Sequence, residues 1–258
     1  MPKISVITVC FNAATSIRAC LESVASQSVD LEHIVIDGKS TDKTLTIVDE
    51  YRTDPRLRVI SEPDKGIYDA MNKGIKLARG QIIGFLNADD RYASPNTLSN
   101  VVNALADPAA DSCYGDLIYV SQANPQHIVR YWRSGLYNRR GFYFGWMPPH
   151  PTFYAKRSVY EQYGTFNTAL GSAADYEIML RFLCKNGVST TYIPEVLVAM
   201  QTGGVSNRSF KNRIKANRMD RMAWQVNGLK PHPLTLVAKP LRKLGQFFSA
   251  RPRLVITN

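Results

Sequence analysis

The chain has 258 residues with 45% hydrophobic and 21% charged side chains, ordinary proportions for a folded domain, and they exclude disorder, collagen-like repeats and a coiled coil as descriptions of the whole. A chain of this length holds one large domain, or one domain with an appendage. The formal net charge is +11, and 12 of the 32 Lys and Arg residues lie beyond residue 206 against a single acid, Asp220, so the excess charge belongs to the last fifth.

Residues 4–9 form a β-branched run with the composition of a buried strand, and Ile17, Leu21 and Val24 follow at helical spacing. Residues 33–36 predict a second strand, and Ser40 and Thr41 lead into a helix carrying Leu45, Ile47 and Val48. A third strand is read over 58–60, a helix over 67–78 and a fourth strand over 81–86. Strands alternating with helices imply a mostly parallel sheet covered on both faces. Ligands of such sheets bind beyond the carboxyl ends of the strands.

No apolar run approaches the ~18 residues of a membrane-crossing helix. The short apolar start follows only Lys3, too little for a secretion signal, so a cytoplasmic location is expected. Cys10, Cys20, Cys113 and Cys184 are far apart and form no Cys-x-x-Cys pair, which favours buried thiols over a zinc cage or a disulfide framework.

Three strand ends carry acidic or polar groups: Asp37-Gly38-Lys39-Ser40-Thr41-Asp42, Glu62-Pro63-Asp64-Lys65-Gly66 and Asn87-Ala88-Asp89-Asp90. Converging carboxylates repel unless cations or donors compensate. Mg²⁺ or Mn²⁺ is commonly held by one or two carboxylates plus substrate phosphates, which suits so sparse a set. Asp90 also fits a helix N-cap or an Asx turn. The first glycine is Gly38, so the first strand-to-helix turn forms neither a dinucleotide fingerprint nor a P-loop, both of which need glycine to let backbone amides reach phosphate.

Together, residues 6–12 (VITVCFN), the Asp37–Asp42 segment, residues 62–74 (EPDKGIYDAMNKG) and Asn87-Ala88-Asp89-Asp90 resemble the family 2 glycosyltransferases of the GT-A fold, in the bacterial branch that builds surface polysaccharides. The resemblance covers roughly residues 3–206. It implies an α/β fold with a mostly parallel central sheet and helices on both faces, divided into a nucleotide-sugar-binding half (1–110) and an acceptor half (111–206), to which the segregated charge adds a basic helical C-terminal extension (207–258). It further implies inverting transfer of a sugar from a UDP- or GDP-linked donor to an acceptor hydroxyl. Asp37 and Asp64 match nucleobase-contacting positions, Asp89 matches the metal ligand of the DxD motif, and Asp90 stands beside it. Asn87 replaces the usual Asp, and Met71 stands where many relatives place an Arg against the diphosphate. Lys65 or Lys73 is offered as its substitute, and Met71 also reads as a plain core residue.

Inverting transfer needs a group that takes the acceptor proton. Asp175 opens a helical pattern of Ile178, Leu180, Phe182 and Leu183 and resembles the family's base position, with Glu177 as the second candidate. His150, held among prolines at 148, 149 and 151, reads either as a contact to phosphate or acceptor hydroxyl or as a packed loop residue. The stretch from Tyr131 to Trp146, rich in aromatics and Arg, suits an acceptor cleft as well as a core. Gly203-Gly204 reads as a closing loop or a turn. In the tail, Leu234, Leu236, Leu241, Phe247 and Phe248 alternate with Lys239, Arg242 and Lys243, a mixture suited to an anionic membrane interface, or to a helix packed on the body. The expected acceptor is a saccharide, lipid-linked through polyprenyl diphosphate. A nucleic-acid partner is not expected, given the acidic strand ends. The alternative function is a nucleotide-sugar-binding protein without catalysis.

Overall fold

The computed structural model describes residues 2–202 and 210–233 together with Thr235, Lys239, Arg242 and Gln246, and of residues 210–216 the backbone alone. The first half follows the alternation in the sequence: β1 Ile4–Cys10, α1 Ile17–Ala25, β2 Leu31–Asp37, α2 Thr44–Asp49, β3 Leu57–Ser61, α3 Ile67–Leu77 and β4 Ile82–Phe85. β1 and β2 are buried at every position, because helices cover both faces of the sheet. α3 lays Ala70, Met71, Gly74 and Ile75 inward. A Cβ on Gly74 would stand 2.4 Å from Ile7 Cγ2, so glycine lets the helix approach the sheet.

The second half supplies β5 Asp90–Tyr92, α4 Thr97–Ala104, β6 Ser112–Val120, β7 Ile128–Trp132, β8 Tyr154–Lys156, α5 Arg157–Tyr163, α6 Ala174–Met179, β9 Thr190–Gln201 and α7 Phe210–Val226. The sheet runs β3-β2-β1-β4-β8-β6-β9-β5, with β7 on β6. β3, β2, β1 and β4 are parallel. β8 then runs antiparallel to both β4 and β6, and β9 returns parallel to β6. Of this half the sequence shows a strand-like run at 196–200, which lies in β9, and the helical pattern that opens at Asp175, which begins as α6. β5 and β8 have three residues each, too few to display a periodicity.

Register aligns the tips: Cys10 pairs with Asp37 and Asp37 with Ser61. β2 and β3 lie on one side of β1 and β4 on the other, so the strand order reverses at β1 and opens a crevice at these carboxyl ends. The four cysteines are buried and free. No helix among the described residues is long and apolar enough to cross a membrane.

His33, buried in β2, contacts Thr8 Oγ1 through Nε2 at 2.9 Å. Burial lowers its pKa to about 4 from a reference of 6.5. The unfolded chain therefore binds more protons than the folded one between these values, so the stability present above about pH 6.5 declines as the pH falls toward 4. The expected loss is about 3 kcal/mol, read as a falling urea midpoint. The fall should be shallower in His33→Gln; equal slopes would remove this histidine as the cause.

Candidate active site

The first wall of the crevice is built from the loops after β1 and β2, which bind each other. Asn12 and Lys39 both have positive φ, 51° and 69°, a conformation costly for non-glycine residues that is kept where the surroundings enforce it. Here the enforcement is visible. Asn12 N donates to Ser40 Oγ at 2.8 Å, Thr41 N to Asn12 Oδ1 at 2.9 Å and Ala13 N to Thr44 Oγ1 at 2.8 Å. Asp37 is fully buried, and its carboxylate accepts from the Ser40 and Ser61 hydroxyls and from the amides of Lys39 and Ser40. The resemblance implies a nucleobase contact for Asp37; in the structure its buried oxygens accept from its own loop and from Ser61 at the end of β3.

Asp64 lies over that loop. A Cβ on Gly38 would stand 2.5 Å from Asp64 Oδ2 and 3.5 Å from the Phe11 ring. Asp64 Oδ1 accepts from Gly66 N at 2.8 Å. Phe11 is 63% exposed, an aromatic face in water at a strand end, which the sequence reading did not single out. Phe11 and Asp64 therefore both stand over Gly38, an exposed aromatic ring and a carboxylate at the same strand ends.

The loop between β4 and β5 forms the floor. Asp89 is exposed whereas Asp90 is buried, and Asp90 Oδ2 accepts from Asn87 Nδ2 at 3.2 Å. Asn87 Oδ1 and Asp90 Oδ1 are buried without a hydrogen-bond partner among the described residues. Burial, and next the charge of Asp89, raise the Asp90 pKa well above its ordinary value. Orphaned buried oxygens are rare and call for a donor or a cation. Among the described residues no three His, Cys, Asp or Glu side chains are grouped to hold a metal. A cation here would thus depend on oxygens brought by a ligand, the usual habit of Mg²⁺. Asp89 in solvent beside two unpaired oxygens fits that habit.

The opposite wall carries Asp175, the second residue of α6. Its Oδ2 lies 3.4 Å from His150 Nδ1, and its charge, after burial, raises the pKa of the Tyr68 phenol of α3. His150 begins a 3-10 turn, His150–Thr152, which is pinned to β6 because Thr152 Oγ1 donates to Gly115 O at 3.0 Å. Burial lowers the His150 pKa, opposed by the charges of Asp175 and Asp89. The phenol of Tyr119, at the end of β6, is raised mainly by burial, and Asp90 and Asp175 both act on it. Residues from four elements thus meet around one space: Asp89, His150, Asp175 and Tyr68.

Other expectations fall elsewhere. Glu177, the second candidate for the base, is buried and paired with Arg181 at 2.9 Å, and Asn227 Nδ2 donates to it at 3.1 Å, so it is a structural anion. Met71 lies in the core at 1% exposure. Lys73 is tied to Glu62 and to the Pro63 carbonyl at 2.9 and 2.6 Å, and Lys65, next to Asp64, is exposed. Phe142 is fully buried, Trp146 packs edge-on against it and Tyr114, and Phe144 is exposed; much of the aromatic stretch is core. A cavity of about 610 Å³ lined by Arg221, Gln225, Leu229, Lys230 and His232 shares no residue with the carboxylate cluster. Gly203-Gly204 lies outside the described residues, as do Leu234, Leu236, Leu241, Lys243, Phe247 and Phe248 of the tail.

The Glycosyl transferase family 2 model matches residues 5–167. A PGL/p-HBAD biosynthesis glycosyltransferase of Mycobacterium bovis is 30% identical over 211 residues, covering 80% of each chain. Chondroitin synthase of Escherichia coli is 29% identical over 187 residues, 70% of this chain and 26% of that one. Among solved structures, S. aureus TarS 1–349 in complex with UDP superposes with a TM-score of 0.67 at 20% identity, over 94% of this chain and 72% of that one. The mannosyltransferase PcManGT from Pyrobaculum calidifontis in complex with GDP-Man and Mn²⁺ gives 0.64 at 22% identity, over 92% and 69%.

Proposed function

The chain belongs to glycosyl transferase family 2, and from that premise we propose that it moves a sugar, with inversion, from a UDP- or GDP-linked donor to a hydroxyl of a saccharide acceptor, with Asp175 as the general base. The observation that carries this reading is the convergence of Asp89, His150 and Asp175 beyond the sheet's carboxyl ends. The neighbours bound to UDP and to GDP-Man share the fold and support a nucleotide-sugar donor.

In this mechanism the base of the donor enters between Phe11 and Asp64, while Asp37 holds the loop that carries Gly38. Lys65 stands next to Asp64. The acceptor oxygen attacks the anomeric carbon on the face opposite the diphosphate. Its proton passes to a carboxylate oxygen of Asp175, and the bond to the diphosphate breaks with its electron pair leaving on phosphate. His150, whose pKa burial lowers, and Tyr68 flank the carboxylate and hold it in one orientation. A Mn²⁺ or Mg²⁺ ion, held through Asp89 with Asn87 and Asp90 behind it, would supply positive charge against the diphosphate.

The acceptor is read as lipid-linked and the protein as peripheral at an anionic membrane face, on the strength of the charge segregation in 207–258. The test is turnover of a panel of UDP- and GDP-sugars with and without Mn²⁺, using a polyprenyl-diphosphate-linked saccharide in phosphatidylglycerol vesicles as acceptor. Mn²⁺-stimulated transfer and co-sedimentation with the vesicles are expected. Failure to sediment would remove the membrane clause alone. Binding of donors without turnover would favour nucleotide-sugar recognition without chemistry, a reading that Asn87 in place of an acid supports.

A further inference from the structure

α6, which carries Asp175, cannot fix its own orientation. It has six residues and no side-chain N-cap, and it is preceded by Gly171 at φ 48° and followed by the π-helical turn Leu180–Lys185. So short a helix between irregular segments depends on its packing. That packing comes from α7 and the chain beyond it. Trp224 Nε1, fully buried, donates to Tyr176 Oη at 3.0 Å. Lys239 Nζ lies 3.6 Å from the centre of the Tyr176 ring and 2.8 Å from Asp220 Oδ2. Asn227 Nδ2 reaches Glu177 Oε1 at 3.1 Å. The two residues after Asp175 are therefore gripped from the C-terminal segment, all of it beyond the family match at residue 167.

We propose that Asp220, Trp224 and Lys239 are positioning residues, which clamp Tyr176 and thereby hold the Asp175 carboxylate against His150. The inference rests on the reading of Asp175 as the base, and it gives the C-terminal segment a role in the active site. Asp220 is the right partner for this geometry. It neutralises Lys239, so a cation is kept on an aromatic face in a largely buried place. An aliphatic side chain at 239 would fill the space without gripping either group.

The test reads the position of Asp175 and needs no donor. The four histidines are followed by NMR titration of their ring protons, with His150 assigned through His150→Gln. Asp175→Asn removes a carboxylate beside His150 and sets the size of the downward shift in its midpoint. Lys239→Met and Trp224→Phe are expected to move the His150 midpoint down by at least half of that shift. Loss of the Lys239 charge by itself acts upward, so a downward shift has to come from displacement of Asp175. Lys239→Arg, which keeps the cation, is expected to retain the wild-type midpoint. An unchanged His150 midpoint in both Lys239→Met and Trp224→Phe would overturn the proposal. So would a shift that His33, buried in β2, shares, because that marks general loosening. Failure of Asp175 as base appears separately, as turnover that survives Asp175→Asn, and leaves these midpoints as they are.

Discussion

Asp175→Asn is expected to lower transfer by about 10²–10⁴-fold, the range that general-base catalysis supplies, with donor affinity unchanged. The amide keeps the size of the carboxylate, yet it cannot take the acceptor proton. Asp175 is partly exposed at a helix start and holds no buried ion pair, so its replacement leaves the packing of α6 intact. The measurement is kcat against donor KM for the donor that turns over fastest, alongside a melting curve. A fall confined to kcat is the expected pattern, and undiminished kcat would move the base elsewhere. Glu177 would not inherit the role, because its carboxylate is spent on Arg181 and Asn227 inside the protein.

The donor half was legible because its physics is local. β1 and β2 are buried on both faces, so each shows a β-branched core, residues 6–9 in one and 34–36 in the other, and the polar residues that follow each core mark the strand tips. The acceptor half was not legible in that way. β5, β7 and β8 have three to five residues, and β6 mixes Tyr114, Gly115 and Asp116 into a central position, so no simple alternation survives. Candidate residues could be named singly, but their assembly could not: His150 and Asp175 are brought within 3.4 Å by Thr152 bonding Gly115 on one side and by α7 gripping α6 on the other. Tyr68 gave no signal beyond its place in a helix. Nothing in the sequence separates Phe11 from the apolar residues before it; its exposure follows from β1 ending at Cys10. Glu177 did carry a warning, since Arg181 stands four residues on, the spacing of a helical ion pair. Asp37 shows the reverse limit, since its position at the tip was readable whereas the closure of Ser40 and Ser61 around it was not.

Asp89→Ala is expected to cost about 10²–10³-fold in kcat, comparable to the removal of one group aimed at developing charge, and to abolish stimulation by Mn²⁺. The same chemistry at the next residue should behave differently. Asp89 is exposed and free to meet a ligand, while Asp90 is buried, already bonded to Asn87, and pushed toward its neutral form by its surroundings. Asp90→Asn preserves shape and hydrogen-bonding capacity at a site where a full charge is disfavoured, so its effect on Mn²⁺ dependence is expected to be much smaller than that of Asp89→Ala. Thermal stabilisation by UDP plus Mn²⁺, titrated in both variants, separates the two: loss of the metal-dependent increment in Asp89→Ala with its retention in Asp90→Asn is expected. An equal loss in both would mean that the buried carboxylate ionises when the cation arrives and that the two unpaired oxygens behind Asp89, Asn87 Oδ1 and Asp90 Oδ1, turn toward it as ligands.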